Sequence, residues 1–109
     1  MDLSEYRGYT PLMLYSEEDG CFIGKIAGLN AHSSSFHGYT EEEIRKHFEE
    51  SVDFYLETEP NPEKPFAGRI TVIMPQELHS KLVNKAFEDG EIFFNDWLVE
   101  KLRNLCEHN

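Results

Sequence analysis

Short apolar stretches separated by turn residues occupy the first part of the chain, and apolar residues at helical spacing follow them. Tyr9–Tyr15 and Cys21–Ile26 are predicted as strands, and the acidic, glycine-containing segment 16–20 between them is predicted as a hairpin turn. Phe36–Tyr39 is predicted as a short third strand, after a loop of small residues at 30–35. These segments together predict a small antiparallel sheet.

The first predicted strand has apolar side chains on both of its faces. Leu12 and Leu14 fall on one face, and Met13 and Tyr15 fall on the other, because successive side chains of a strand alternate in direction. Pro11 lacks a backbone N–H, so the strand is expected at an edge of the sheet or near a strand end.

A helix is predicted after the third strand. Thr40 followed by Glu43 has the spacing of a capping box, and the acidic first turn suits the positive end of the helix dipole. The apolar stripe of this helix consists of Ile44, Phe48, Val52, Tyr55 and Leu56. The first half of the chain is therefore predicted as a β-β-β-α unit, with one helix packed on the sheet.

A lone strand and two helices are predicted for the last third of the chain. Segment 69–73 has strand alternation, with Ile70 and Val72 on one side. Two runs of apolar residues at helical spacing follow. Pro75 suits the start of the first helix, and Gly90 suits its end.

A lone strand needs a partner for its backbone N–H and C=O groups. The simplest partner is the same strand of a second copy, antiparallel across a two-fold axis, with the helices of both copies beneath it. This is the ribbon-helix-helix arrangement, whose ribbon enters the DNA major groove. The predicted dimer core consists of Ile70, Val72, Leu78, Leu82, Trp97, Leu98 and Leu102. The alternative is a strand that joins the N-terminal sheet, with the helices as its cover.

The predicted organisation is two small domains of an α+β protein. Three prolines between Glu59 and Pro65 favour a stiff, extended linker. The expected parts are an N-terminal domain at 1–59 with a loose lead-in at 1–8, a linker at 60–67, and a C-terminal domain at 68–109. A tail of this size is near the limit for independent folding, which favours dimerisation.

The charge of the chain is uneven. The net charge is −11, and residues 1–65 carry five Lys/Arg against fourteen Asp/Glu, whereas residues 66–109 carry five against seven. The acidic front half favours a basic protein partner over nucleic acid. The sequence has neither an apolar run of membrane-spanning length nor a signal-peptide pattern, and its two cysteines are isolated, so a cytoplasmic protein is expected.

Candidate catalytic and metal-binding groups are weak in this sequence. Adjacent carboxylates at 17–19 point apart, and those at 41–43 are explained by the helix dipole, so neither set predicts a two-metal nuclease site. The histidines lack ligand spacing; they are His32, His37, His47, His79 and His108. We expect no catalytic residue, no metal site and no cofactor. The aromatic group at Phe93, Phe94 and Trp97 is either core or an exposed contact surface.

Several phrases, in order along nearly the whole chain, resemble the HicB family of antitoxins from bacterial toxin–antitoxin pairs. They are residues 15–29, 36–43, 53–56, 64–68 and 74–79. The resemblance implies a partial RNase H-like N-terminal domain that binds a small, basic, RNA-cleaving HicA-type toxin. It also implies a C-terminal domain that dimerises and binds the operator of its own operon. The implied role is a non-enzymatic antitoxin and autorepressor.

The predicted DNA-contacting residues are Arg69, Thr71 and Ile73 on the outer face of the ribbon, with Asn95 at a backbone phosphate. Ile73 stands where relatives tend to have a basic or polar residue, and Glu91 stands where they have a positive charge. These departures keep open an interaction protein that dimerises without binding DNA. A stand-alone ribbon-helix-helix repressor is a further alternative.

The predicted toxin-contacting residues are Glu17, Glu18, Asp19 and Phe22. The physical reason is charge, because an acidic hairpin can cover a basic RNA-binding surface and steer its approach. The alternative is that these carboxylates only keep the protein in solution.

Overall fold

The computed structural model describes residues 1–29 and 35–107. Its elements are β1 (Pro11–Ser16), β2 (Cys21–Ile26), β3 (Phe36–Gly38), α1 (Glu41–Thr58), α2 (Gln76–Glu88) and α3 (Phe94–Glu107). The predicted α+β class with a β-β-β-α start is confirmed. The chain forms two compact units, residues 1–71 and residues 72–109. Most of the loop predicted at 30–35, together with His32 and His108, lies outside the described residues.

The three strands form one sheet in the order β1-β2-β3, and both pairs are antiparallel. Tyr15 lies opposite Phe22 in the first pair, and Ile23 lies opposite His37 in the second. The hairpin turn closes with the Gly20 N–H donating to the Ser16 carbonyl at 2.8 Å. The predicted hairpin is therefore present, and its turn uses a positive φ of 68° at Gly20.

Helix α1 begins with the cap predicted from the sequence. The Glu43 N–H donates to Thr40 Oγ1 at 3.0 Å, which satisfies one of the free donors of the first turn. The Glu43 carboxylate reaches back to the N–H of Tyr39, one residue before the cap, at 3.3 Å. A local sequence signal therefore fixes the point where the chain leaves the sheet and enters the helix.

The core of the first unit lies between α1 and one face of the sheet. Ile44, Phe48 and Val52 of α1 are completely buried. They pack with the buried side chains of Tyr9, Ile26 and Phe36. The helix approaches closely at Gly38, where a Cβ atom would lie 2.6 Å from the Ile44 backbone nitrogen.

The first residues of the chain are not the loose lead-in that the sequence predicted. Tyr6 and Tyr9 form a bridge with backbone hydrogen bonds of 2.8 and 3.0 Å. Arg45 of α1 donates to the Ser4 carbonyl at 2.6 Å. The prediction was wrong because the Arg45 contact joins residues 41 positions apart, which local composition does not reveal.

The proline-rich segment is anchored to the first unit. The Glu63 N–H donates to the Tyr55 hydroxyl, and the Tyr9 hydroxyl donates to the Glu63 carbonyl, both at 2.8 Å. Farther along, the Phe66 N–H donates to the Gly28 carbonyl at 2.8 Å. The first compact unit therefore continues beyond the prolines and ends at Thr71.

The second unit contains α2 and α3, which pack against each other. Helix α2 ends at Glu88 with Asp89 as its C-cap, and Gly90 follows with a positive φ of 89°, as the sequence predicted. Residues 69–75 belong to neither a helix nor a strand, and β1, β2 and β3 account for the sheet of the described chain. The strand pairing expected across a dimer axis stays a prediction.

Candidate functional site

The acidic turn between β1 and β2 projects three carboxylates into solvent. Glu17, Glu18 and Asp19 are all exposed. Ser16 shapes the turn, since its hydroxyl accepts from the Asp19 N–H at 3.2 Å and donates to Asp19 Oδ2 at 3.0 Å. Within the described residues none of the three carboxylates forms an ion pair, so the turn presents uncompensated negative charge.

Phe22, which the sequence grouped with this turn, lies on the helix-facing side of the sheet. Its ring is partly buried against the core and meets the ring of Tyr15 edge to face, with 5.0 Å between centroids. The structure therefore places Phe22 apart from the solvent-directed carboxylates of the turn.

In the part of the chain that the structure describes, the other face of the sheet exposes large apolar side chains. Leu12 and Leu14 share this face, as predicted, and they are 62% and 56% exposed. The strand register adds Ile23 opposite Leu14, Lys25 opposite Leu12, and His37 opposite Ile23. Sequence reasoning found the alternation in β1 but not the exposure of its leucines, because alternation alone does not say which face a helix covers.

Asp53 of α1 binds the beginning of the chain. Arg7 Nη1 and the Tyr6 hydroxyl each donate to Asp53 Oδ1 at 2.9 Å. The hydrogen bond from Arg7, followed by that from Tyr6, holds the pKa of the Asp53 carboxyl below its ordinary value. The same contact raises the pKa of the Tyr6 hydroxyl, because a neighbouring carboxylate disfavours a phenolate. This contact stabilises the first unit and was missed by the sequence analysis.

The residues predicted to contact DNA are all exposed; they are Arg69, Thr71, Ile73 and Asn95. Ile73 is 94% exposed, which is unusual for an isoleucine. Ile70 and Val72, which alternate with these residues, are exposed as well. Side chains on both sides of this segment are therefore exposed to solvent.

The predicted dimer-core residues of the helices are only partly covered. Leu78 and Leu102 are exposed, Leu82 and Leu98 are half-buried, and Trp97 is buried. Among the described residues of the second unit, Ala86 and Trp97 are the two buried side chains. A unit with so little interior leaves much apolar surface in water.

Trp97 is the best-held side chain of the second unit. Its indole N–H donates to Asp89 Oδ2 at 2.8 Å, and its ring stacks with that of Phe94 at 5.9 Å between centroids. The indole hydrogen bond lowers the pKa of the Asp89 carboxyl, and Lys101 nearby acts in the same direction. Phe93 is exposed, so the aromatic group is divided between core and surface.

Glu91 stabilises the turn between α2 and α3 through both its backbone N–H and its side-chain carboxylate. The Glu91 N–H donates to the Ala86 carbonyl at 2.9 Å, which caps the end of α2. Glu91 Oε1 accepts from the Phe93 N–H at 2.9 Å, directly before α3 begins at Phe94. A phosphate approaching Asn95 in the first turn of α3 would meet this negative charge.

The described part of the chain contains no group of three or more His, Cys, Asp or Glu side chains that could hold a metal ion. No helix in the described ranges is both long and apolar enough to cross a membrane. The candidate sites are therefore surfaces for macromolecular contact: the acidic turn with the open sheet face in one unit, and the exposed apolar segments in the other.

Comparison with known proteins gives one match. Residues 52–102 match the family model described as the HicB family, a range that begins within α1 and ends within α3. No curated protein and no solved structure matches the chain significantly. The match confirms the family resemblance drawn from the sequence.

Proposed function

We propose, from the match of residues 52–102 to the HicB family, that this chain is the antitoxin of a toxin–antitoxin pair. In this proposal it binds a small, basic, mRNA-cleaving HicA-type toxin directly and blocks its RNA-binding surface. It also represses its own operon through a dimeric C-terminal ribbon-helix-helix. The family match over residues 52–102 is the observation that carries the proposal.

The first unit has the charge expected of a surface that binds a basic toxin. Residues 1–71 carry six Lys/Arg and fourteen Asp/Glu, a net charge of −8. The exposed carboxylates of Glu17, Glu18 and Asp19 add a local negative patch at one end of the sheet. Such a distribution attracts a basic partner and speeds its association.

The second unit has the surface expected of a protein that buries its core by pairing. Val72 before α2, together with Leu78 and Leu102 of the helices, is apolar and exposed in the single chain, and Ile70, among the last residues of the first unit, is exposed as well. A second copy would cover them and would supply the missing strand. In that dimer Arg69 and Thr71 would lie on the outer face of the ribbon.

A second candidate function is an antitoxin that dimerises without binding DNA. Two observations favour it. Ile73 can contact a thymine methyl group but cannot recognise a guanine. In addition, the Glu91 carboxylate accepts from the Phe93 N–H at the start of α3, where a DNA phosphate would otherwise bind.

Co-expression with the product of the adjacent gene tests the antitoxin role. We expect a stable complex and restored growth of cells that express the toxin. A toxin that kills equally well in the presence of this chain, with no complex recovered, would rule the role out.

Gel shift with the DNA upstream of the gene separates the two candidate functions. If the ribbon binds operator, Arg69→Ala should weaken binding and reduce its dependence on salt. Glu91→Lys is the matched gain-of-charge variant and should strengthen binding. Absence of a shift for the intact dimer at low salt would favour the dimer without DNA binding.

A further inference from the structure

Among the described residues of the first unit, the face of the three-stranded sheet opposite α1 is open to solvent at Leu12 and Leu14. Helix α1 packs on the opposite face, where its buried residues meet Ile26 and Phe36. On the open face, Leu12 and Leu14 stand side by side along β1, and Ile23 of β2 lies opposite Leu14. The face therefore carries a small apolar stripe in direct contact with solvent.

This composition is unusual for the outer face of an antiparallel sheet. Such a face, when it remains in water, normally carries polar residues that alternate with the buried ones. Here two of the three outward positions of β1 are leucines that are more than half exposed. An exposed apolar stripe bordered by charged residues is typical of a protein-binding surface.

We propose that this open face, defined by Leu12, Leu14 and Ile23, is the apolar centre of the toxin-binding surface, with the acidic turn as its rim. The inference rests on the proposed antitoxin function and extends it, since charge alone does not identify where the toxin is seated. In protein interfaces the affinity comes mainly from a few desolvated residues near the centre, and charges at the rim mainly set the association rate.

Charge identifies the occupant as a basic protein. The hairpin register puts Ser16 opposite Cys21, so the turn with Glu17, Glu18 and Asp19 lies at the end of the same two strands. A second copy of this chain would bring the same acidic turn and the same net charge of −11 to the contact. A basic protein that presents apolar side chains meets both the stripe and its rim without this repulsion.

Lys25 is a positively charged residue on this face, and it provides a direct test of the sign of the partner's charge. It is exposed and lies opposite Leu12, so a basic partner seated there would be repelled by it. Lys25→Glu should therefore speed association with the toxin severalfold at low salt, and the gain should vanish at high salt. Slower association for this variant would overturn the assignment of a basic occupant to this face.

The main experiment uses the full chain and the toxin encoded by the adjacent gene, in a catalytically inactive form. Leu14→Glu should weaken binding at least tenfold, mainly by faster dissociation, because it places a carboxylate in the apolar centre. Phe54→Glu is the matched control. Phe54 lies on α1 and is 66% exposed, so the substitution adds the same charge at a similar exposure outside the stripe.

Leu12→Glu provides a second substitution on the same face, and circular dichroism melting of each variant shows that the fold is retained. Unchanged toxin affinity for both leucine variants, with wild-type binding intact, would overturn the inference while leaving the antitoxin function standing. Failure of the wild-type chain to bind toxin would instead defeat the proposed function itself. A change in the oligomeric state of the free leucine variants, with toxin binding unaffected, would assign the stripe to a contact between copies and would also overturn the inference.

Discussion

The two units of this chain differ sharply in how much interior they possess. The first contains three completely buried side chains, Ile44, Phe48 and Val52, enclosed by a sheet and by the anchored beginning of the chain. The second contains two helices whose described residues bury only Ala86 and Trp97. One unit has the core of an independent domain, and the other has the exposed apolar surface of half a domain.

The difference teaches that exposed apolar residues have different meanings in the two units. In the first they form a stripe on a fold that is already complete, which indicates a surface for a separate partner. In the second they are most of the apolar residues present, so folding and association are coupled.

The largest expected effect is the loss of a core ring in the first unit. Phe48→Ala should reduce the free energy of unfolding by about 3–5 kcal/mol, because it removes a buried ring and leaves a cavity. Chemical denaturation followed by circular dichroism measures the loss. Phe54→Ala, at an exposed position of α1, is the control and should change stability by less than about 1 kcal/mol. Equal losses for the two variants would refute the contrast.

Next in size is the effect of a charge in the proposed dimer core of the second unit. Val72→Glu should raise the dissociation constant of the dimer by about a hundredfold, because two like charges would be buried near each other. Ile73→Glu is the adjacent control on the opposite side of the segment and should leave the dimer intact. Light scattering over a dilution series measures both, and a wild-type chain that is monomeric at micromolar concentration would contradict the expectation.

Glycine substitutions should have smaller effects, for a different reason in each unit. At Gly24 a Cβ atom would lie 2.8 Å from the Leu12 carbonyl oxygen, so Gly24→Ala should destabilise the sheet by about 1–3 kcal/mol through crowding. At Gly90 nothing lies within 4 Å of the added atom, and Gly90→Ala should cost about 1 kcal/mol through its positive φ alone.

Thermal melting of both glycine variants provides the test. Gly90→Asn should recover part of the loss at Gly90, because asparagine tolerates a positive φ. No such rescue is expected for Gly24→Asn, where the added atoms meet the same obstruction. A rescue at Gly24 would show that crowding is not the cause.

The smallest expected effect is the dependence on pH. The pKa values of the Asp53 and Asp89 carboxyls are below the ordinary value of 3.8 in the folded protein, because Arg7 and the Trp97 indole respectively donate to them. Each carboxylate therefore contributes stability that is present above that value and is lost as the pH falls through the folded pKa. Melting temperatures should decrease below about pH 4 in both units, and Asp53→Asn should flatten the decrease in the first unit.

Local signals in the sequence predicted much of the fold. The bounds of β2 agree with the prediction, and the Thr40 cap and the Gly90 stop lie where their residue types indicated. These features depend on neighbours within a few positions. Helix α3 begins at Phe94, and the Glu91 carboxylate accepts from the Phe93 N–H directly before it.

Contacts between residues that are distant in the sequence could not be predicted from the pattern of apolar and polar residues. The Asp53 contact with Tyr6 and Arg7, and the anchoring of Glu63 by Tyr9 and Tyr55, depend on the three-dimensional arrangement of the helix and sheet. Alternation likewise placed the leucines of β1 on one face without indicating that the helix covers the other. The helices and strands could therefore be predicted from the sequence, whereas the candidate site could be located only in the folded structure.

A single substitution at Glu91 could change the affinity of the second unit for anions. Codons for glutamate and lysine differ by a single base, so one transition would free the Phe93 amide and put an ammonium group beside the positive end of α3. The turn before α3, where a carboxylate now occupies the Phe93 N–H, would become an anion-binding site without any change in the backbone. Gain or loss of polyanion affinity in this lineage is thus accessible in one evolutionary step.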